Sequence, residues 1–356
     1  MKNEILCKLQ QAIPEELDGI MIENMKHQFY LCGFDFTDGY LVVCRDAAYL
    51  FVDFRYIEAA RAAICEEDFT IFDKTTLTFV HSTLQKLGIR KLGFEDRYLT
   101  VADLQHRKVA LLGIELSPIG GLIENMRLYK TEPEFAAIRK AQKITDEAFD
   151  HILGFITPER TETEIALELE FFMRRRGAVS TSFSTICVSG KKSSLPHGVP
   201  SDRKIERGFL TMDFGCIFGG YCSDMTRTVS VGSVTDEERR VYETVLGAQQ
   251  KALEFIDWHK SCFECDKVAR DFINAAGYEG AFGHSLGHGV GLYIHESPRL
   301  SAGAPIKDLL ENGHVVTCEP GIYLEGKFGV RIEDMVLIHD NAAENITKSP
   351  KELIIL

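Results

Sequence analysis

The segment Leu210–Val231 reads as two β-prone runs around Gly219-Gly220, and each run carries one aspartate, Asp213 and Asp224. Glycine supplies the positive φ that a tight hairpin needs, so this pair constrains the fold before it says anything about function. With the turn centred on Phe218-Gly219, Asp213 lies directly opposite Asp224 on one face of the ribbon. Two carboxylates held face to face repel, and one takes up a proton unless a cation lies between them. In isolation such a pair reads as two solvated hairpin aspartates. Asp213, however, sits in the apolar run Leu210-Thr-Met-Asp-Phe214, where water is scarce, and that turns the reading toward metal.

The geometry recurs near the C-terminus. Val315–Leu324 and Gly329–Leu337 are strand-like runs around Gly326, and pairing about that glycine sets Glu319 opposite Glu333. Between the two hairpins, the stretch Gly283–Arg299 carries His284, His288 and His295, three of the eleven histidines. Its glycines at 283, 287, 289 and 291 argue against a stable helix and for a backbone that packs close to a neighbour. One such histidine alone reads as structural; three beside four paired acids read as a site. A neutral imidazole is a standard ligand for a first-row divalent ion, so Asp213, Asp224, His288, Glu319 and Glu333 form a candidate set for two hard cations.

Composition narrows the partners. A net charge of −13 disfavours nucleic acid and anionic membrane surfaces. No apolar run approaches the roughly eighteen residues of a membrane span, and the N-terminal segment has acid and amide where a secretion signal needs an apolar core. The ten cysteines are scattered without a disulfide framework. Reduced thiols in a cytoplasm are therefore expected, with Cys262 and Cys265 as ordinary core cysteines.

Alternating β runs and helical stretches over residues 1–123 suggest an α/β domain with a mixed sheet, and no catalytic cluster appears there. Residues 124–356 form a second domain. Its helix starts are marked by capping boxes at Thr131/Glu134, Thr161/Glu164, Thr235/Glu238 and Ser261/Glu264, with Gly177 and Gly277 as stops. Two helix pairs, each followed by strands, hint at a duplicated half-domain.

Taken in order, the Asp-x10-Asp hairpin, the Gly-His-Gly-x-Gly stretch at 287–291, Glu319-Pro-Gly and Arg331-Ile-Glu-Asp334 resemble the pita-bread-fold metallopeptidases of the M24 family. That family includes methionine aminopeptidase, aminopeptidase P and prolidase. Leu195-Pro-His-Gly198 is similar to the signature of its proline-specific branch, and the region before residue 125 resembles the creatinase-like N-terminal domain of that branch. The resemblance implies an α/β (α+β) chain in which a pseudo-symmetric pita-bread domain, 124–356, does the chemistry and domain 1–123 serves substrate access and dimerisation.

It further implies two divalent ions, Mn²⁺ by family habit with Co²⁺ or Zn²⁺ able to compete. Asp224 and Glu333 are expected to bridge them, Asp213 to complete one, and His288 with Glu319 the other. Glu319 is also expected to carry a proton to the leaving nitrogen. His295 is expected to support the tetrahedral intermediate, and His284 and His197 to contact substrate. Arg331, two residues before Glu333, is expected to orient the metal carboxylates. Arg299 matches a prolidase arginine that reads the free carboxylate of a dipeptide. The expected reaction is hydrolysis of the peptide bond before proline in Xaa-Pro dipeptides, by a cytoplasmic homodimer. The alternatives are an Xaa-Pro aminopeptidase acting on longer peptides, a methionine aminopeptidase, a metal-free creatinase-like amidinohydrolase and a non-catalytic binding protein. The N-terminal domain and His197 disfavour the methionine enzyme, and the intact ligand set disfavours the last two.

Overall fold

Six strands build the first sheet: β1 (Gly19–Ile22), β2 (Tyr40–Cys44), β3 (Ala48–Phe51), β4 (Thr70–Phe72), β5 (Lys91–Phe94) and β6 (Glu115–Pro118). They lie in the order β4-β3-β2-β1-β5-β6 in a computed structural model that describes residues 3–65 and 67–356. β2 runs antiparallel to β1 and to β3, to which a short turn joins it. The β3–β4 and β5–β6 pairs are parallel, each reached through a crossover helix, Ile57–Ala63 and Val101–Ala110. The sheet is thus mixed, and Phe51, Val80, Leu84, Leu92 and Leu111 fill a core on one of its faces.

This sheet belongs to the first of two compact units, Met1–Arg127 and Leu128–Leu356. The first unit extends past the boundary expected at 123 because a helix, Leu122–Arg127, runs through it. No helix among the described residues is long and apolar enough to cross a membrane.

The second unit contains two helix pairs, Glu132–Leu153 with Glu162–Arg175 and Asp236–Phe255 with Cys262–Ala275. Each pair covers its own core. The first buries Phe149, Leu169 and Met173 against Met212, Phe214 and Met225, and the second buries Val241, Val245 and Ile273 against Val316, Val330 and Ile338. Each large apolar side chain so buried contributes about 1.5–3 kcal/mol. Capping boxes start the helices after Thr131, Thr161 and Thr235. The box expected at Ser261/Glu264 does not form, and Ser261 Oγ has no partner. Ser261 bridges Leu309 instead, and the carbonyl of Asp308 takes the N–H of Cys262. All ten cysteines are free.

The strands of this unit are β7 (Ser180–Thr181), β8 (Ile186–Ser189), β9 (Gly208–Phe214), β10 (Cys216–Phe218), β11 (Tyr221–Cys222), β12 (Met225–Val231), β13 (Gly287–Gly289), β14 (Glu296–Leu300), β15 (Val315–Cys318), β16 (Gly321–Leu324), β17 (Phe328–Arg331), β18 (Asp334–His339) and β19 (Ala342–Asn345). They form sheets β11-β10-β7, β12-β9-β8, β14-β13-β15-β18-β19 and β16-β17.

The first hairpin turns on Gly219-Gly220, with Phe218 paired to Tyr221, and not on Phe218-Gly219. A two-residue turn of this kind needs positive φ at both central positions, and Gly219 (57°) and Gly220 (84°) provide it. The register therefore shifts by two residues, and Asp213 faces Thr226 rather than Asp224. A shift of two preserves the face, so both aspartates still point the same way. The second hairpin keeps the expected register: Gly321 pairs with Arg331 and Cys318 with Asp334, which brackets Glu319 and Glu333.

Candidate active site

Strand alternation puts residues 224 and 226 on one face of their chain, and 319, 321 and 323 on one face of theirs. Two backbone bonds bring these edges together: Glu333 N–H donates to Thr226 O (3.1 Å) and Glu319 N–H to Leu286 O (2.8 Å). The glycine-rich stretch is mostly loop and contributes one short strand, β13, at its centre. Its glycines are needed because a Cβ on Gly287 would lie 2.0 Å from Thr317 O, and one on Gly289 would lie 2.1 Å from Ser297 O. His288 is thereby fixed between β14 and β15, directly across from Arg299.

Ligand atoms of Asp224, His288 and Glu333 converge to within 4.8 Å of one another. All three residues are buried, with exposures of 4%, 5% and 1%. Asp224 Oδ2 and Glu319 Oε1 lie 3.5 and 3.3 Å from His288 Nε2. These are not ion pairs, because burial pushes the imidazole down to about 3 and leaves it neutral. Its Nδ1 faces Gly289 O (3.1 Å) and must donate, so Nε2 presents a bare lone pair to the carboxyl groups.

Burial and the neighbouring Glu333, Asp213 and Glu319 charges hold Asp224 well above the usual carboxylate range. Burial with the Glu319 and Asp213 charges does the same to Glu333, and burial pushes Glu319 up to about 8. One oxygen of Asp213, Oδ1, is buried without a hydrogen-bond partner. Crowded carboxyls, an orphaned carboxylate oxygen and an inward imidazole lone pair are the donor set of a hard or borderline divalent cation, and the residues present fit one.

Arg331 organises the rim. It donates from Nη2 to Asp213 Oδ2 (2.6 Å), from Nε to Thr226 Oγ1 (2.9 Å) and from Nη1 to Tyr323 Oη (2.7 Å). Thr226 in turn donates to Glu333 Oε2 (2.7 Å). Tyr323 Oη meets His284 Nε2 at 2.9 Å, while His284 Nδ1 faces Ser285 O at 2.9 Å. Burial and the Arg331 charge push His284 down to about 4, so the ring is neutral and both nitrogens are engaged with the protein. Thr226 and Tyr323 were absent from the sequence reading. Counting by twos from Asp224 and Glu319 along their strands would have found them.

All ten residues singled out in the sequence, including His197, His295 and Arg299, line one cavity of about 490 Å³. Phe183, Ile186, Val199 and Ile294 form its apolar wall.

A cavity of buried carboxyls and histidines, lined from strands of several sheets in the second unit, is the kind of site that a metallopeptidase carries. The chain belongs to metallopeptidase family M24, whose model matches residues 136–340. The creatinase/prolidase N-terminal domain model matches residues 6–129. Among solved structures, the Xaa-Pro dipeptidase from Bacillus anthracis is 43% identical with a TM-score of 0.94, covering 99% of each chain. The X-Pro aminopeptidase from Thermotoga maritima MSB8 is 33% identical with a TM-score of 0.91, covering 98% of this chain and 100% of that one. The Xaa-Pro dipeptidase of Pyrococcus furiosus is 38% identical over 99% of both chains. The expected pita-bread architecture, with its creatinase-like N-terminal domain, is borne out.

The raised carboxyls give a stability signature. In the metal-free protein they hold protons that the unfolded chain has released, so the folded state binds more protons and stability falls as pH rises. The buried histidines act oppositely, but only below their ordinary value of 6.5. Between pH 7 and about 8 the carboxyls lead, joined toward the upper end by the buried cysteines, whose raised thiols act in the same direction. Stability in chelator, read as the thermal midpoint, is expected to decline across that window, by about 1 kcal/mol per pH unit for each retained proton, and to decline less in a saturating divalent cation. Scanning fluorimetry at pH 7.0, 7.5 and 8.0 checks this; a flat profile in chelator contradicts it.

Proposed function

We propose that this metallopeptidase hydrolyses the bond before proline in Xaa-Pro dipeptides, using two Mn²⁺ ions held by Asp213, Asp224, His288, Glu319 and Glu333. The observation that carries the reading is the convergence of Asp224, His288 and Glu333, with Glu319 beside them, in a cavity also lined by His197, His284, His295 and two arginines. The two dipeptidase relatives support the substrate class. When bound, the ions polarise the scissile carbonyl and acidify water.

The chain's own residues do the rest. Glu319 takes the proton of the attacking water and passes it to the leaving nitrogen. His295 donates to the carbonyl oxygen as it gains charge. His197 touches the substrate, and His284, clamped by Tyr323 and Ser285, is a fixed wall against which it rests. Arg331 keeps Asp213 aimed inward. Arg299, across the ladder from His288, pairs with the carboxylate of a dipeptide. We assign the N-terminal unit to dimerisation and substrate access, and the protein to the cytoplasm.

The second reading, an Xaa-Pro aminopeptidase acting on longer peptides, is favoured by the Thermotoga relative. Hydrolysis of Ala-Pro against Ala-Pro-Ala by Mn²⁺-loaded protein separates the two. In the first reading, Arg299→Met lowers kcat/KM for Ala-Pro by about ten- to a hundredfold, the worth of a charge-assisted pair, and leaves any tripeptide cleavage unchanged. Equal losses on both substrates would remove Arg299 from carboxylate recognition.

A further inference from the structure

Arg227 is among the largest fully buried side chains of the protein, 1% exposed, and it sits on the strand that begins beside Asp224. Thr226 turns its hydroxyl to Glu333 and Arg331, so by strand alternation Arg227 points to the opposite side. All five of its N–H groups are taken. Nη1 donates to Glu333 O (2.5 Å) and Thr226 O (2.9 Å), Nη2 to Asp334 Oδ1 (2.8 Å) and Ser349 O (2.9 Å), and Nε to Pro350 O (3.0 Å). One rigid fork thus grips Glu333 through its carbonyl, the buried Asp334 through its carboxylate, and the C-terminal tail through two backbone carbonyls.

The tail is built into this arrangement from its own side. Asp334 is fully buried and also accepts from Asn345 Nδ2 (2.6 Å) and Lys351 Nζ (2.7 Å). Burial pushes Asp334 up, but the Arg227 and Lys351 charges outweigh it and hold the carboxyl below its usual range. Asp146 holds the N–H of Ser349 (2.9 Å), Tyr242 Oη donates to Lys351 O (2.9 Å), and Ser230 exchanges backbone bonds with Ile354 and Leu356. Glu333 itself is held at three points: its N–H by Thr226 O, its carboxylate by Thr226 Oγ1, and its carbonyl by Arg227. Two of these lie on the cavity side of the strand or within its backbone. The third is the only one that reaches the tail.

We propose that Arg227 is a positioning residue through which the C-terminal tail, residues 345–351, sets the carboxylate of Glu333 for metal binding. The inference rests on the reading of Glu333 and Asp224 as metal ligands. A lysine at 227 keeps the charge but has a single ammonium with three donors, so it cannot hold Glu333, Asp334 and both tail carbonyls at once. Removing the Lys351 ammonium weakens the same device from the tail end without touching the strand.

The test uses the full chain and the metal ions alone. Arg227→Lys and Lys351→Met are titrated with Co²⁺, followed by the visible absorption that reports coordination geometry, and with Mn²⁺ by calorimetry. Circular dichroism of the metal-free proteins checks the fold. Folded Arg227→Lys is expected to bind the ions about 10- to 100-fold more weakly, as changes behind metal ligands typically do, with an altered Co²⁺ spectrum. Lys351→Met is expected to move both readouts in the same direction by less. A folded Arg227→Lys protein with parental affinity and spectrum overturns the proposal. If Arg227→Lys does not fold, a Lys351→Met protein with parental affinity and spectrum overturns it equally. A parent that binds no ion at all overturns the metal assignment itself, a result distinct from either.

Discussion

Replacing Asp224 by asparagine is expected to silence the enzyme while making its metal-free form more heat-stable. Asp224 is 4% exposed and surrounded by the Glu333, Asp213 and Glu319 carboxyls, so its ionisation is penalised by burial and by like charge. Asparagine keeps the shape and removes both penalties. It also removes an oxygen anion from the point where His288 and Glu333 converge. Activity should fall by at least about 10³-fold, the upper end of what losing one electrostatic stabiliser costs. The stability gain on adding Mn²⁺ should vanish with it; for the parent that gain is about 4 kcal/mol at a thousandfold excess over Kd. Melting curves of both proteins, with chelator and with Mn²⁺, read the two effects together. An asparagine variant that melts below the parent in chelator, or that still gains the full Mn²⁺ shift, contradicts the role given to Asp224.

The second large effect is expected at Glu319. Its carboxyl accepts from Thr317 Oγ1 (3.2 Å), stands 3.3 Å from His288 Nε2, and is pushed up to about 8 by burial. That raised value belongs to the metal-free protein; in the loaded enzyme a carboxylate at this place, beside His288, is positioned to take a proton and pass it on. Glu319→Gln retains size and polarity but cannot carry the proton. At saturating divalent cation, kcat is expected to drop by about 10²–10⁴-fold with little change in KM, the range typical of general acid–base groups. Measuring metal content of the same sample separates proton transfer from ligand loss. A variant with full metal and near-parental kcat would assign the proton to another group.

The site was readable in the sequence wherever its residues are tied by spacing. Glu319 and Glu333 pair about Gly326 because one glycine with φ of 68° marks that turn. Asp213 and Asp224 are misaligned by two residues because two adjacent glycines offer two turn centres, and only backbone geometry chooses between them. The error left the face intact, so the chemistry survived it. Ser261 shows the opposite case: the capping motif is present, but Ser261 is drawn into a bridge with Leu309 and the box does not form. Tyr323 and Thr226 escaped because a hydroxyl at a strand position carries no motif of its own. Their importance lies in Arg331, which reaches Tyr323 within its own hairpin but Thr226 only after the two halves are packed together.

That packing bears on how the protein matures. The core under the first helix pair is drawn mainly from residues 141–231, and the core under the second mainly from 241–338. Each half can condense from contacts nearby in the chain. The point where Asp224, His288 and Glu333 meet spans both halves, with the Thr226–Glu333 bond closing over 107 residues. Closure of so long a separation comes late in folding. The polypeptide is therefore expected to finish its fold before any place for a cation exists, so the ions are loaded into a finished protein rather than guiding its synthesis. Withdrawing them should return a folded, reloadable precursor instead of a coil.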